Sequence, residues 1–419
     1  MRYGSGSVSD EAMRIPAFVR YWTASTTGSF GTAVSTVAIQ VLVVQVLVAT
    51  PAEVGVVNAA RVLPYAFLGV FAGVLVDRVR RKPLLVWSNA AQAVALLAIP
   101  VLWLADALSL SVVAGVLFVV GALSVLEVAA RQSFIPRLVP RSALLSANAR
   151  IDQGDTVALT SGPALGGGMV ALVGAPFTVL ADALTCALGA VMNARLRVEE
   201  PALPRRPSTP ADVVGDIADG IRFIYPHRTI APHAISTHIW FTGNAMAVTA
   251  FAPFALREMG LGVVAYGIVL AFTGVGGLLG SSLAVRAGHR LGAGGAMLLG
   301  VVVAPVAWAS TASAPPTVLG VVLLGAAQVM AGFGMGIENA NSLGYRQSVT
   351  PDEMQGRMNA TIRSANRTCA VIGALTGGLV AQLLGLRPAL WVAVALFVVA
   401  AVVVYGSPLR TARHDPGTD

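Results

Sequence analysis

Long apolar runs separated by short polar breaks make up most of this chain. A helix needs about 20 apolar residues to cross the hydrocarbon core of a bilayer, and runs of that kind can be placed twelve times. The pattern therefore predicts an all-α, polytopic membrane protein with twelve transmembrane helices. Their approximate spans are residues 17–48, 53–76, 84–105, 109–132, 143–173, 176–198, 229–256, 262–286, 294–313, 316–343, 354–385 and 388–407.

One polar break, residues 199–228, is much longer than the others and divides the chain. Its first part is rich in proline, which stiffens a linker, and apolar residues recur at helical spacing from Val213 to Ile224. We therefore predict three regions. They are an N-terminal six-helix bundle over residues 1–198, a cytoplasmic linker with a short amphipathic helix over residues 199–228, and a C-terminal six-helix bundle with a short cytoplasmic tail over residues 229–419.

Short sequences recur between the two halves. The tripeptide Arg-Gln-Ser at 131–133 returns at 346–348. Three glycines of the fifth span return in the eleventh span, each 211 residues later (373 minus 162): Gly162, Gly166 and Gly167 correspond to Gly373, Gly377 and Gly378. A duplicated six-helix unit places a binding cavity between its halves. The repeat predicts two pseudo-symmetric six-helix bundles that operate by alternating access.

Composition and charge agree with a membrane protein. Of the 419 residues, 56% are hydrophobic and only 11% are charged, too few to cover the surface of a soluble protein of this size. The net charge of +8 comes from bases in the breaks on one side of the predicted membrane, whereas the opposite breaks hold only Arg257 and Arg387. This asymmetry predicts cytoplasmic termini and a cytoplasmic linker. No basic patch interleaved with aromatic residues is present, so no nucleic-acid partner is expected.

The densest charge within the apolar body lies between the second and third spans. The stretch from Gly73 to Lys82 joins two apolar runs and carries one acid and four bases, which keep their hydration only at a membrane surface. It resembles the loop signature of the major facilitator superfamily, Gly-x-Leu-x-Asp-Arg-x-Gly-Arg-Arg/Lys, although Arg80 replaces the second glycine. The matching residues are Gly73, Leu75, Asp77, Arg78, Arg81 and Lys82.

A second motif lies in the fifth span. Gly162-Pro163-Ala-Leu-Gly166-Gly167 is similar to the Gly-Pro-x-x-Gly-Gly motif of the exporting antiporters of that superfamily. The stretch from Arg131 to Pro140 resembles the branch that contains bacterial macrolide and siderophore exporters. The resemblance implies a drug:proton antiporter in which Asp77 holds the two halves together at the start of the eleventh helix.

Several acids lie within the predicted spans, where an unpaired charge costs several kcal/mol. Asp152 and Asp155 of the fifth span are candidate proton carriers; the alternative is that Arg150 or a neighbouring helix neutralises them structurally. Glu338 has no base one helical turn away and is a further candidate. Glu127 is also a candidate, but it lies four residues before Arg131, a spacing that favours an interfacial ion pair.

The repeat places opposite charges in the two halves. Asp152 corresponds to Arg363 and Asp155 to Asn366, and Arg367 follows. Salt bridges between the halves that form in one state and break in another would act as a latch. The alternative is two local pairs that never exchange partners.

Two polar faces are candidates for lining the cavity. The seventh span carries a mixed aromatic and polar stripe, which suits an amphipathic ligand and comprises His233, Thr237, Trp240, Phe241 and Asn244. The first span carries hydroxyl residues, among them Thr32, that either line the cavity or bond neighbouring helices. Arg61 either lines the cavity or extends outward to the interface. Asp182 is interpreted as structural.

The function that these features predict is secondary active transport. No His-x-x-x-His metal pair, nucleophile elbow or phosphate loop indicates an enzyme, and two repeats do not form the ring of a channel. Export of a small amphipathic molecule, such as a drug, macrolide, siderophore or secondary metabolite, follows from the resemblance; an importer or lipid flippase of the same fold stays open. We expect a monomer driven by a proton gradient, without metal or cofactor, whose partners are its substrate and membrane lipids.

Overall fold

The computed structural model describes residues 11–198 and 210–413, including their side chains except at 70–78 and 210–213. These ranges are helical and contain no β-strand, which confirms the all-α prediction. Their α-helices are α1 (Pro16–Val41), α2 (Pro51–Arg78), α3 (Arg81–Leu104), α4 (Leu110–Leu138), α5 (Leu144–Val173), α6 (Ala175–Ala194), α7 (Pro210–Ile224), α8 (Ile230–Pro253), α9 (Val263–Ser313), α10 (Val318–Val349), α11 (Asp352–Leu384) and α12 (Leu386–Tyr405).

Ten helices in the described ranges are long and apolar enough to cross a membrane, which confirms a multi-pass membrane protein. The ten do not include α2, and α9 is counted once although it has 51 residues. Within α9, Gly292 adopts φ 74° and ψ 167°, outside the helical region, so two helical segments meet there at a kink. These segments correspond to the predicted spans 262–286 and 294–313.

Local sequence signals define where helices begin. At the start of α2, the Thr50 hydroxyl accepts a bond from the Glu53 amide at 3.3 Å, and a Glu53 carboxylate oxygen accepts one from the Thr50 amide at 2.7 Å. This reciprocal capping box satisfies two amides that would otherwise lack partners, and Pro51 fits the first helical position. Ser109 and Thr317 cap α4 and α10 through the hydroxyl alone, which accepts a bond from the backbone amide three residues later.

The helices before α7 pack among themselves, and so do those after it. In the first set, α1 packs on α5 and α6, α3 on α4 and α6, and α2 on α4; in the second, α8 packs on α11 and α12, and α9 on α10 and α12. The most extensive contacts between the sets are those of α2 with α11 and of α5 with α9. Residues of both sets share the largest buried apolar cluster, which includes Val37, Phe251 and Phe397.

The repeated glycines lie at the close contacts between these helices. Gly162 and Gly166 face α1, and their counterparts Gly373 and Gly377 face α8. Gly167 faces α9, where an added Cβ would lie 2.6 Å from the Val263 carbonyl oxygen. Its counterpart Gly378 faces α2 in the same way, with a Cβ position 2.6 Å from the Pro51 carbonyl oxygen. The sequence repeat is thus also a repeat of packing, and small residues permit the approach at each place.

The two sets also share the same irregularities. A π-helical turn ends the first long helix of each, at Leu42–Val46 after α1 and at Phe254–Glu258 after α8. Two residues beyond each turn the backbone has positive φ, 50° at Val48 and 65° at Gly260. Gly174 and Gly385, with φ of 83° and 105°, precede α6 and α12. Corresponding positions therefore depart from regular helix in corresponding ways.

The linker contains the predicted short helix. α7 packs on α11, where Arg357 forms a forked ion pair with two acids one turn apart: Nε lies 2.7 Å from Asp216 Oδ1 and Nη1 lies 3.1 Å from Asp219 Oδ2. Ile224 of α7 is fully buried in a cluster with Met358 of α11. The part of the predicted linker before residue 210 lies outside the described residues.

Candidate functional site

A polar cavity of about 480 Å³ lies among the helices that precede α7, and we call it the N-cavity. Hydroxyl residues of α1 form one wall, and charged residues of α2, α4 and α5 form the others. Its polar lining includes Tyr21, Ser25, Ser29, Thr32, Thr36, Arg61, Tyr65, Gln92, Glu127, Arg131 and Asp155. The predicted candidates Thr32, Arg61, Glu127 and Asp155 therefore share one cavity.

Asp155 forms an ion pair in this cavity. Its Oδ2 lies 3.3 Å from Arg131 Nη2 of α4, and its Oδ1 accepts a 2.5 Å bond from the Ser29 hydroxyl of α1. Both side chains are about one-third exposed to the cavity. The neutralising base is thus Arg131 on a neighbouring helix, not Arg150, which donates to Gln153 at 3.1 Å.

Glu127 has a different partner from the one predicted. The expected i,i+4 ion pair with Arg131 is wrong, because Arg131 turns toward Asp155 and Ser25. Glu127 instead accepts a 2.8 Å bond from the side-chain amide of Gln92 in α3. The carboxylate of Glu127 therefore lines the N-cavity and is bonded to a neutral donor. The nearby guanidinium of Arg131 is paired with Asp155 instead.

Arg61 points into the N-cavity and does not extend to the interface. Its Nη1 donates to the Thr36 hydroxyl at 3.3 Å. Asp182 of α6 is buried and accepts a bond from the Thr32 hydroxyl at 3.4 Å, in keeping with the structural interpretation. Thr32 thus lines the cavity and also connects α1 to α6.

A second cavity, of about 290 Å³, lies among the helices that follow α7, and we call it the C-cavity. All five residues of the predicted stripe on α8 line it. α9, α10 and α11 complete the walls, with Met297, Met335, Glu338 and Arg367 among the lining residues. The aromatic pair Trp240 and Phe241 meets edge to face, with ring centroids 5.2 Å apart, so one wall is rigid and apolar.

A buried acid–base pair closes one side of the C-cavity. Glu338 Oε1 of α10 lies 3.2 Å from His233 Nε2 of α8, with the side chains 18% and 4% exposed. Sequence reasoning selected both residues but did not pair them, because they belong to different helices. A carboxylate bonded to an imidazole can exchange one proton without moving a charge far.

Arg367 lies between the two cavities. Its guanidinium carbon lies 5.2 Å from the centre of the Tyr65 ring of α2, a cation–π distance. Arg367 lines the C-cavity and Tyr65 lines the N-cavity. This contact belongs to the α2–α11 junction, so one side chain is at once part of a cavity wall and part of the seam.

The other predicted latch residues have different surroundings. Asp152 and Arg363 are exposed, whereas the Oδ1 of Asn366, the counterpart of Asp155, lies 2.6 Å from His238 Nδ1. The exchange of partners between the two halves stays a prediction. Of the loop motif, Arg81 is buried and Lys82 half-buried, while only the backbone is described at Gly73, Asp77 and Arg78.

Sequence reasoning missed three contributors. Tyr65 and Gln92 gave no signal, since single polar residues in apolar runs are common. His238 bridges Asn366 and the Tyr225 hydroxyl, which lies 3.0 Å from its Nε2. Arg131 was recognised as a residue of the repeat, through its counterpart Arg346, but was expected to pair with Glu127 and not with Asp155. Among the described residues, no group of three or more acidic, histidine or cysteine side chains could hold a metal ion.

Solved structures with the same arrangement of helices are transporters. The nucleoside transporter NupG superposes with a TM-score of 0.74 at 13% identity, covering 93% of this chain and 98% of that one. A bacterial homologue of the iron transporter ferroportin, in an inward-facing state, gives 0.73 at 16% identity, covering 94% and 98%. These likenesses show that the chain has the fold of these transporters.

The model of the transmembrane secretion effector family, one of the families of the major facilitator superfamily, matches residues 9–416. The chain therefore belongs to this family of transporters, which are not enzymes. The multidrug efflux pump Tap of Mycobacterium tuberculosis is 29% identical over 222 residues, which are 52% of each chain. Tap of Mycolicibacterium fortuitum is 26% identical over 347 residues, 80% of this chain and 82% of that one. The match spans about half the length of the mycobacterial relatives.

Proposed function

We propose that this transporter exports a small amphipathic molecule, such as a drug, macrolide, siderophore or secondary metabolite, in exchange for protons. The observation that carries the proposal is the C-cavity, which combines an aromatic wall with a half-buried acid. The similarity to pumps called multidrug efflux pumps supports the direction of transport. No metal or organic cofactor takes part, and the energy source is the proton gradient across a bacterial inner membrane.

The proposed topology has twelve spans in two six-helix bundles joined by a cytoplasmic linker, in a monomer. The ten apolar helices, together with α2 and the second segment of α9, supply twelve spans. The packing of helices before and after α7 and the repeated irregularities support two bundles, residues 1–198 and 229–419. The excess of arginine and lysine on one side supports cytoplasmic termini.

The substrate class follows from the walls of the C-cavity. Trp240 and Phe241 offer flat apolar surface, while Thr237 and Asn244 offer hydrogen bonds from the same helix. Met297 and Met335 adapt their shape to different ligands. Such a surface binds molecules with an apolar ring system and a few polar groups, and it does not demand one substrate.

Proton coupling is assigned to the two acid–base pairs. While Asp155 is ionised, it holds Arg131 and accepts the Ser29 hydroxyl. A proton on Asp155 removes the charge that fixes Arg131, which frees the guanidinium for another partner. The second proton site is the pair formed by Glu338 and His233. The protonated and ionised forms of these acids then favour different conformational states, because protonation changes which ion pairs form.

Alternating access is assigned to the seams α2–α11 and α5–α9. Gly55 packs on Ala374 and Gly378, and Gly167 packs on Val263 and Gly267, all toward the ends where α2 and α9 begin. Toward the other ends, Asp152 and Arg363 are exposed. With cytoplasmic termini, this arrangement corresponds to a state closed outside and accessible from inside. When the transporter changes to the opposite state, closed inside and open outside, salt bridges involving Asp152, Arg363 and the loop of Asp77 would form.

The test is accumulation of a panel of fluorescent dyes, antibiotics and siderophores in a host that lacks its own drug pumps. Expression lowers accumulation of at least one compound, and an uncoupler abolishes the effect. Trp240→Ala weakens it, whereas Trp391→Ala, an exposed tryptophan of α12, does not. Raised accumulation in energised cells would indicate import, and a decrease that survives the uncoupler would exclude proton exchange.

A further inference from the structure

A third cavity, of about 890 Å³, lies away from the two transport cavities. It lies between the kink of α9 and the segment that follows α12, and we call it the basic pocket. Four of its lining side chains are basic: His289, Arg290, Arg410 and Arg413. No carboxylate is among the described residues that line it, so its described wall is basic.

The pocket is built by close packing and is more than a group of charged surface residues. The Gly294 amide donates a 2.9 Å bond to the Ala412 carbonyl, and Gly294 lies directly against the Leu409 backbone. Leu409 is fully buried with Ala293 and Met297 of α9. The positive φ of Gly292 turns the chain toward this segment. The backbone that carries the arginines is therefore held on two sides.

Two of these arginines, Arg290 and Arg410, are placed to bind an anion. Arg290 and Arg410 are exposed side chains. The Arg410 guanidinium carbon lies 5.3 Å from the centre of the Tyr405 ring, a contact that uses the face of the guanidinium and leaves its in-plane N–H groups free to donate. Guanidinium forks match the oxygen geometry of a phosphate, which each can bind through two bonds.

The surroundings favour a phosphate carried by a lipid. α12, one of the apolar helices, ends at Tyr405, a residue type that gathers at the membrane–water boundary. Val285 and Leu291 line the pocket and are 67% and 53% exposed, so its rim continues into surface that a bilayer would cover. Its volume exceeds what a free phosphate needs. Basic pockets beside transmembrane helices bind anionic headgroups in this way.

We propose that the basic pocket binds the phosphate of an anionic phospholipid headgroup, with Arg290 and Arg410 as its principal ligands. In the proposed topology the pocket faces the cytoplasmic leaflet. The site holds the kink of α9 against the segment after α12 while leaving both transport cavities open. It is independent of the substrate and of the direction of transport.

The test measures lipid bound to the purified full-length chain by mass spectrometry of intact complexes in detergent. Phosphatidylglycerol and cardiolipin are each titrated against phosphatidylcholine. We expect the anionic lipids to be retained preferentially and each of Arg290→Gln and Arg410→Gln to weaken retention about fivefold, the effect of one basic residue near an anionic surface. Arg286→Gln, an exposed arginine of α9 outside the pocket lining, is the matched control and leaves retention unchanged.

Arg290→Lys and Arg410→Lys are controls for misfolding, because they keep the positive charge and remove only the forked guanidinium. We expect lipid retention between that of the wild type and that of the glutamine variants. Equal retention of phosphatidylcholine, or an equal loss with Arg286→Gln, would overturn the proposal. Inorganic phosphate is added as a competitor. If inorganic phosphate displaces the lipid only at concentrations far above that of the lipid, the pocket prefers a lipid headgroup. If phosphate displaces the lipid at a similar concentration, the proposal that the ligand is a lipid is overturned.

Discussion

The guanidinium of Arg367 lies over the ring of Tyr65, 5.2 Å from its centre, and so joins α11 to α2 across the seam. Each residue also lines a cavity, one on either side. The contact needs the face of an aromatic ring and not the phenol hydroxyl, because the attraction comes from the ring quadrupole.

Removing the ring should loosen this seam. Cation–π contacts contribute about 0.5–2 kcal/mol, so Tyr65→Ala should shift the balance of open and closed states by roughly twofold to thirtyfold. Distances between spin labels on α2 and α11 measure this shift. Tyr65→Phe keeps the ring face and should keep the wild-type distances; if it behaves as Tyr65→Ala does, the hydroxyl is the important group.

Asp155→Asn should abolish proton-driven transport. The amide keeps the size of the side chain and its bond with Ser29 but can neither take up a proton nor pair with Arg131. Substrate-dependent proton release from inverted vesicles measures the coupling. Asp152→Asn, one turn away on the same helix and exposed, is the matched comparison: it slows transport by removing a bridge of the opposite state but should leave the protons released per substrate unchanged. A larger loss with Asp152→Asn would transfer the proton site to that residue.

Gly167→Ala should destabilise the protein by about 1–3 kcal/mol, the usual cost of overpacking. The new methyl group would lie 2.6 Å from the Val263 carbonyl oxygen at the α5–α9 seam. Thermal unfolding in detergent measures the change. Gly168→Ala, where nothing lies within 4 Å of the added Cβ, makes the same helical substitution without the clash. Equal midpoints for the two variants would show that the seam is not tightly packed there.

Val48→Gly should stabilise the protein. A β-branched residue at φ 50° costs about 1–2 kcal/mol, which the substitution recovers. The greater freedom of glycine in the unfolded chain offsets about 0.5–1 kcal/mol of that gain. A net increase of about 0.5–1 kcal/mol in the free energy of unfolding follows. Gly260→Val, the reverse change at the corresponding position, should lower the thermal midpoint. A decrease for both variants would show that Val48 has packing that outweighs its backbone cost.

Acidification should weaken the start of α8 through His227. Its Nδ1 accepts bonds from the Thr229 and Ile230 amides at 3.3 and 3.2 Å, which requires an unprotonated nitrogen. Burial lowers the pKa of His227 below its ordinary 6.5. The unfolded chain therefore binds the proton more readily, so this contribution to stability is complete above pH 6.5 and is lost as pH falls below it.

The measurement is the thermal midpoint between pH 5 and 7.5. His227→Asn, whose side-chain oxygen can still accept an amide bond, should remove the part of the pH dependence that His227 supplies. His289→Asn, on an exposed histidine of the basic pocket, is the comparison. An unchanged slope in His227→Asn would assign the acid sensitivity to other groups.

Much of the fold was predictable because it depends on local properties. The length of apolar runs predicted the helices, and the stripe on α8 predicted one wall of the C-cavity from Trp240 and its neighbours. Helical spacing places such residues on a single face, whichever helix packs opposite. The repeat of glycines predicted corresponding positions in the two halves, and the structure places Gly167 and Gly378 at the two seams, where small residues permit helices to approach closely.

Partners across helices were harder to predict. Arg131 binds Asp155 of the next helix instead of Glu127 one turn away, and Glu338 finds its base in His233, 105 residues distant. Which side chains meet depends on the rotation of each helix about its axis, and that rotation is the outcome of packing along its full length. A single sequence records the charges but not those angles.

The matched π-helical turns after α1 and α8 have a consequence for ancestry. Two copies that diverged in nearly every residue still keep the same local defect, Leu42–Val46 in one and Phe254–Glu258 in the other. Duplication of one unit that already contained this turn accounts for both occurrences at once. Val48 and Gly260 then hold one inherited backbone conformation with two different residues.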